Sequence, residues 1–154
     1  MNKIQEEYLN QYLETLNLEQ RELHQNVMAS YFCADEENAN ICSDLILAGV
    51  KTATCSMKYW YESEGEPMPK PGDLQVVTDW SGNPTSIIEK TEVSECKFSE
   101  VTAEFAAAEG EGDKSLEWWR QAHWDFFGKE FKELGMEPTE DMVLVLERFR
   151  VVYS

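Results

Sequence analysis

The stretch LILAGVKTATCSM, residues 45–57, joins the end of a predicted helix to a predicted strand. The apolar run 45–48 continues a helical pattern, and Gly49 suits a helix C-terminus because glycine adopts a positive φ without a Cβ clash. Residues 52–57 are rich in small and β-branched side chains, which predicts a short strand. The junction carries a lysine and a hydroxyl three residues apart, Lys51 and Thr54.

The spacing of Lys51 and Thr54 bears on whether their side chains can act in one site. On a regular strand the side chains alternate, so Lys51 and Thr54 would point to opposite faces. They can cooperate only if the chain turns or bulges between them, and the junction after Gly49 is where this can happen. A lysine beside a threonine hydroxyl is one way of making a weak nucleophile useful. A solvated lysine on a strand edge is the alternative interpretation.

Helices and strands are mixed along the rest of the chain. Helices are predicted at 3–17, partly over 19–33, at 35–48 with Asp35 as N-cap, at 102–108, and at 115–134 with Ser115 as N-cap. Strands are predicted at 52–57, 74–79, 87–94 and 142–153, and the proline-containing segment 59–72 is predicted as a loop. Non-adjacent strands mixed with helices predict an α+β fold with a small closed or nearly closed sheet.

Length and charge limit the class of protein. At 154 residues the chain is most simply one domain, large enough to bury a core without metals or disulfides. Thirteen basic against thirty acidic residues give a net charge of −17. An acidic surface repels a long polyanion, so binding to extended DNA or RNA is not expected. Since salt screens surface charge beyond about 8 Å, a local pocket for one nucleotide is still compatible with this charge. The charge favours small substrates.

The cysteines and the apolar runs bear on cofactors and location. The four cysteines are scattered and, with only two histidines, lack ligand spacing for zinc; they are Cys33, Cys42, Cys55 and Cys96. We therefore expect free thiols in a reducing cytosol, with no metal and no cofactor. No apolar run approaches the roughly 18 residues that span a bilayer, and the N-terminus lacks the apolar core of a signal peptide. A cytoplasmic protein without membrane contact is expected.

Four landmarks, taken in order, resemble the ASCH domain, a relative of the PUA fold. They are residues 49–54, residues 71–74, the acidic glycine turn 109–113, and Trp119-Arg120 with His123 one turn on. The resemblance is to the longer bacterial members and covers about residues 25–154. It implies a small PUA-like mixed β-barrel flanked by helices. Residues 1–24 are then expected to be an N-terminal helical extension packed on the ASCH domain at 25–154.

The resemblance also implies a function. One bacterial branch of the family removes the acetyl group from N4-acetylcytidine with a lysine, a threonine and a glutamate, which fall on Lys51, Thr54 and Glu109. This chain would then be an amidohydrolase acting on a modified nucleoside or a similar acylated small molecule. Other branches imply a non-catalytic module that binds short RNA, or a ribonuclease with or without a metal ion. For Glu109, a helix-end carboxylate in solvent is the alternative interpretation.

Amide hydrolysis needs a nucleophile, a base to take its proton, and donors for the developing oxyanion. Thr54 Oγ1 is the candidate nucleophile. Lys51 can be the base only as a free amine, which requires a pKa lowered by partial desolvation. Alternatively, Glu109 is the base or the proton donor to the leaving amine, while Lys51 stays charged and supports the oxyanion. The sequence leaves both schemes open.

Five further residues are predicted to bind the substrate. Tyr59 and Trp60 can stack on a nucleobase, with core packing as the alternative. Arg120 can meet a phosphate or carboxylate, or instead form a salt bridge with one of the many acidic residues. His123 can donate a hydrogen bond in the pocket or be a satisfied buried histidine. Ser115 lies near the glycine turn, although N-capping also explains it.

Overall fold

The computed structural model describes residues 1–24, 26–33 and 35–154. Within them five strands form one sheet; they are β1 Val27–Ser30, β2 Ala53–Met57, β3 Leu74–Thr78, β4 Pro84–Lys97 and β5 Val143–Tyr153. The helices of the same residues are α1 Lys3–Leu13, α2 Leu18–Glu22, α3 Glu36–Leu47, α4 Lys58–Glu64, α5 Ala103–Glu109 and α6 Leu116–Glu133. The predicted α+β class, a small mixed sheet with flanking helices, is confirmed. None of these helices is long and apolar enough to cross a membrane.

The sheet is open rather than closed. Its strand order is β1-β3-β4-β5-β2, with β1 parallel to β3 and the other pairs antiparallel. Closure into a barrel would require the outer strands β1 and β2 to hydrogen-bond to each other, since every barrel strand needs two neighbours. In the described residues each has one neighbour, and both line the cavity discussed below. The edge strands β1 and β2, which a closed barrel would join by hydrogen bonds, instead both line a cavity.

Several predicted boundaries differ from the structure. The strand predicted at 87–94 extends over Pro84–Lys97. The first helix ends at Leu13 rather than at residue 17. The segment 19–33 contains most of α2 and the short strand β1, which pairs parallel with β3. The sequence of β1 lacks the polar–apolar alternation that would predict a strand. The predicted loop 59–72 contains most of α4, because its prolines begin only at Pro67 and leave residues 58–64 free to be helical. Gln25, where the predicted domain boundary falls, lies outside the described residues.

The junction at 45–57 forms as its sequence predicts. Helix α3 begins after Asp35, whose side chain accepts a hydrogen bond from the Asn38 amide, and Gly49 follows its end with φ of 74°. Strand β2 begins only at Ala53, so Lys51 lies in the bend before the strand. Strand alternation therefore does not separate Lys51 from Thr54.

Backbone contacts join the bend between α3 and β2 to the end of α5. The Thr52 amide donates to the Ala108 carbonyl at 2.7 Å. Gly110, with φ of 70°, follows α5 so closely that a Cβ on it would lie 2.5 Å from the Val50 carbonyl oxygen. This close backbone contact brings the last residue of α5, Glu109, against Lys51.

The helices cover the sheet through separate apolar clusters. Helix α1 buries Leu9 and Tyr12 against residues of β3 and β4, and its Gln5 side chain donates to the Gly82 carbonyl at 2.9 Å. Helices α5 and α6 supply five of the eleven buried residues of the largest cluster, in which Trp119 is 1% exposed. Burial of this apolar surface holds α5 and α6 in place, and with them the acidic turn between the two helices.

The contact at Gly110 gives a stability prediction. We expect Gly110→Ala to lower the free energy of unfolding by at least about 2 kcal/mol, because a positive φ costs about 1 kcal/mol and the Val50 backbone must also shift. The matched control is Gly65→Ala, with φ of 67° but nothing within 4 Å of an added Cβ, which should show the φ cost alone. Urea unfolding of both variants measures the difference, and equal losses would show that the contact is not a constraint.

Candidate active site: a buried lysine between two carboxylates

Lys51 is buried at the wall of a cavity. Its side chain is 2% exposed, and its Nζ lies 3.4 Å from Glu109 Oε1 and 3.2 Å from Glu111 Oε2. The ammonium also donates to the Ala53 carbonyl at 2.9 Å. The interpretation of Lys51 as a solvated strand-edge lysine is therefore wrong. Glu109 is 1% exposed, so its interpretation as a helix-end carboxylate in solvent is wrong as well.

Opposing effects set the protonation of this pair. Burial by itself lowers the pKa of Lys51, but the negative charges of Glu109 and Glu111 outweigh it, and the pKa is raised above its ordinary value. For Glu111, burial raises the pKa, but the Lys51 ammonium and a hydrogen bond from Cys42 lower it by more than burial raises it. The pKa of Glu111 is therefore below its ordinary value. At neutral pH Lys51 is an ammonium and Glu111 a carboxylate. This favours the scheme in which Lys51 stays charged.

Glu109 is anchored through both carboxylate oxygens. Oε1 faces Lys51, while Oε2 accepts from the Trp119 indole N–H and from the Cys55 thiol at 3.6 Å. The same Oε2 lies 3.5 Å from His123 Nε2. His123 stacks on Trp119 with ring centroids 4.2 Å apart, and its Nδ1 donates to the Trp119 carbonyl at 2.9 Å. Helix α6 thus supplies the groups that hold the glutamate against the lysine.

These groups border a cavity of about 980 Å³. Four of the eight predicted site residues line it together: Lys51, Thr54, Glu109 and His123. Thr54 lies on β2 and is half-buried. Aromatic side chains form much of the remaining wall; they are Tyr31, Phe32, Tyr61, Trp118, Phe126 and Phe127. The cavity is therefore charged at its lysine and apolar around it.

The other four predicted residues lie outside the cavity lining. Tyr59 packs against Phe131 in the core, and Trp60 joins the same cluster with its indole N–H donating to Glu130 at 3.1 Å. Both rings turn toward α6 because α4 replaces the predicted loop. Ser115 accepts from the Trp118 amide as the N-cap of α6, and Arg120 is exposed on that helix. Core packing and N-capping, the alternative interpretations, describe Tyr59, Trp60 and Ser115.

The structure adds a second buried ion pair that the sequence reasoning missed. Lys90 Nζ lies 3.2 Å from Glu147 Oε1, with the two side chains 6% and 9% exposed. Lys90 also donates to Gln75 Oε1 at 3.3 Å, and all three residues line the cavity. The Phe32 ring centroid lies 5.7 Å from Lys51 Nζ and 5.8 Å from Lys90 Nζ. A carboxylate inside the apolar strand 143–149 was the signal that could have found this pair.

Two groups of side chains bring three possible metal-ligand atoms within 4.8 Å of one another: Cys33, Cys42 and Glu111, and Cys55, Glu109 and His123. Sequence spacing missed the first group because α3 carries Cys42 back toward Cys33, leaving the sulfurs 3.0 Å apart. Both thiols donate to Glu111 Oε1, at 3.6 and 3.3 Å. In the second group the Trp119 indole N–H donates a hydrogen bond to the Glu109 carboxylate. Hydrogen bonding among the side chains accounts for both groups without an ion.

Taken together, the fold and site define a protein class. An open mixed sheet is flanked by helices, and the helix-to-strand bend after Gly49 presents a buried lysine to the acidic turn after α5. The model of the ASCH domain matches residues 28–153. The chain therefore belongs to the ASCH domain family.

Solved structures agree with this membership. The ASCH domain from Lactobacillus crispatus JV V101 is 55% identical, with a TM-score of 0.96, and the match covers 100% of this chain and 97% of that one. The protein EF3133 from Enterococcus faecalis V583 is 31% identical, with a TM-score of 0.85 over 99% of this chain and 90% of that one. The hypothetical protein PH0355, at 20% identity and a TM-score of 0.52 over 82% and 97%, shows a similar fold. No curated protein sequence matches the chain.

The buried lysine gives a second stability prediction. Lys51→Met keeps an unbranched side chain, one atom shorter, but leaves two largely buried carboxylates without their cation, which should cost about 3–5 kcal/mol of unfolding free energy. The control is Lys58→Met, since Lys58 pairs with Glu95 at 2.8 Å on a half-exposed surface. Loss of this solvent-screened pair should lower the free energy of unfolding far less than Lys51→Met does. Urea denaturation at neutral pH provides the measurement. A Lys51→Met protein as stable as the control would contradict a structural role for the ion pairs.

Proposed function

We propose that this protein is an amidohydrolase that removes the acyl group from an N4-acetylcytidine-like nucleoside. One observation carries the proposal: the Lys51 ammonium is held 3.4 and 3.2 Å from two carboxylates at the wall of the cavity that Thr54 also lines. A fixed positive charge and a hydroxyl on the wall of one cavity are two of the elements that acyl transfer requires, since they stabilise the oxyanion and supply the nucleophile.

The residues divide the work as follows. Thr54 Oγ1 attacks the acyl carbonyl carbon, and the Lys51 ammonium stabilises the negative charge that develops on the carbonyl oxygen. Glu109 and Glu111 fix the ammonium in position and keep it protonated, since their charges raise its pKa. Electrostatic stabilisation of this kind is strongest in a site shielded from water, and Lys51 is almost completely buried.

The cavity suits a small acylated molecule. Its volume of about 980 Å³ lies at the upper end of the range for small-molecule sites. The aromatic wall offers surfaces against which a pyrimidine ring can stack. The net charge of −17 disfavours a long polyanion, so a nucleoside or a short RNA carrying the modified base is the proposed ligand, encountered in the cytoplasm.

The nucleophile can be tested with two threonines that lie two residues apart. Thr54→Val removes only the hydroxyl and should reduce acetate release from N4-acetylcytidine by at least about 10³-fold, the scale expected for loss of a covalent nucleophile. Thr52→Val makes the same chemical change at an exposed threonine bonded to the Ala108 carbonyl and should leave the rate within about twofold. Equal rates for the two variants would remove Thr54 from the mechanism.

A non-catalytic RNA-binding function is the second candidate, favoured by Trp118 and Phe126. Both rings are substantially exposed, 38% and 41%, and both line the cavity. Such rings can stack on unpaired bases of a short RNA. Filter binding of a short RNA at low and high salt separates the candidates, because phosphate contacts make binding fall steeply with salt. Salt-sensitive binding without acetate release would favour this second function over hydrolysis.

A further inference from the structure

We propose that Glu147 is the general base that takes the proton from Thr54 and later returns it to the leaving amine. The inference rests on the proposed function, in which Thr54 is the nucleophile, and it names the proton acceptor that this function requires. The family comparison does not point to Glu147.

The two expected bases are already engaged. The Lys51 ammonium has four oxygen acceptors within 3.4 Å and carries no lone pair for a proton. Glu109 uses Oε1 on Lys51 and Oε2 on Trp119, with the Cys55 thiol also directed at Oε2. Protonating Glu109 would remove one of the charges that hold Lys51. Glu109 therefore acts as an anchor for the cation, and the base must be sought elsewhere on the cavity wall.

Strand register places Glu147 next to the nucleophile. Thr54 of β2 and Glu147 of β5 are direct partners in the antiparallel ladder. Direct partners point to the same face, with Cβ atoms about 4.5–5.5 Å apart. Both side chains line the cavity. No hydrogen bond joins them in the described residues, so the proton passes either through one water or directly once substrate closes the gap.

The carboxylate of Glu147 is both held and available. Lys90 lies 3.2 Å from Oε1 and fixes the orientation of the group. Within the part of the chain that the structure describes, no hydrogen bond reaches Oε2. A buried ion pair contributes little net stability because desolvation offsets the attraction. We therefore assign this ion pair on the cavity wall a role toward a ligand. Glu147 Oε2 is the oxygen available to accept a proton.

The reaction then balances with no outside reagent. Thr54 Oγ1 forms a bond to the acyl carbon as its proton moves to Glu147 Oε2, and the carbonyl electron pair moves to the oxygen beside Lys51. Collapse of this intermediate breaks the C–N bond, and the proton on Glu147 passes to the departing nitrogen to give the free amine. Water then attacks the Thr54 ester and gives a proton to Glu147. That proton returns to Thr54 Oγ1 as acetic acid leaves and gives up its remaining proton to solvent as acetate.

The test compares two glutamates of the same cavity. Glu147→Gln keeps the size of the side chain and an oxygen that can face Lys90, and should lower kcat for N4-acetylcytidine by about 10²–10⁴-fold, the range for loss of a general base. Glu147→Asp keeps a carboxylate and should retain more activity than Glu147→Gln. Glu66→Gln is the control, since Glu66 lines the cavity from an exposed loop and has no role in the mechanism. Thermal unfolding confirms that each variant is folded.

A second substrate separates this inference from the proposed function. p-Nitrophenyl acetate supplies an acetyl group without a nucleoside, and mass spectrometry of the protein detects acetyl-Thr54. Activity on N4-acetylcytidine that is equal in Glu147→Gln and Glu66→Gln overturns Glu147 as base and leaves the function standing. Wild-type acetylation that Glu147→Gln loses, without nucleoside hydrolysis, supports Glu147 and overturns the substrate. Absence of both reactions in the wild type overturns both proposals.

Discussion

The ion pairs of Lys51 with Glu109 and Glu111 are the constraint on which the rest of the site depends. A buried ammonium is tolerated only where opposite charge compensates for lost solvation, and here two carboxylates from one turn provide it. The α3–β2 bend must therefore meet the α5–α6 turn. The close approach of Gly110 to the Val50 carbonyl and the Thr52–Ala108 hydrogen bond make that meeting possible. The indole of Trp119 then fixes the outer oxygen of Glu109.

Two buried cations share one cavity, and their surroundings give them different roles. Lys51 is surrounded by oxygen acceptors and serves as a fixed positive charge. Lys90 holds one oxygen of Glu147, and the Phe32 ring centroid lies 5.7 Å from Lys51 Nζ and 5.8 Å from Lys90 Nζ. Fixed charges in a poorly solvated site need little reorganisation during a reaction. The proposed mechanism assigns the oxyanion to one pair and proton transfer to the other.

Family membership and function rest on different grounds. The family match and the two solved relatives above 30% identity establish an ASCH domain. A shared fold hosts many activities, so activity has to be argued from the groups on the cavity wall and their distances. The wall of this chain combines a fixed cation, a hydroxyl and a cross-strand carboxylate. That combination, rather than the fold, is the basis for proposing acyl transfer.

The sequence by itself determined the local structure and the central pair. Capping at Asp35 and Ser115, the positive φ of Gly49 and the apolar periodicities predicted most helices and strands, because these signals act within a few residues. The resemblance added Glu109. Tertiary structure alone decided the open sheet, the parallel strand β1, the exclusion of Tyr59 and Trp60 from the cavity, and the pairing of Glu147 with both Lys90 and Thr54. Those features depend on strand register and on which helix covers which face, and such long-range contacts leave no local pattern in the chain.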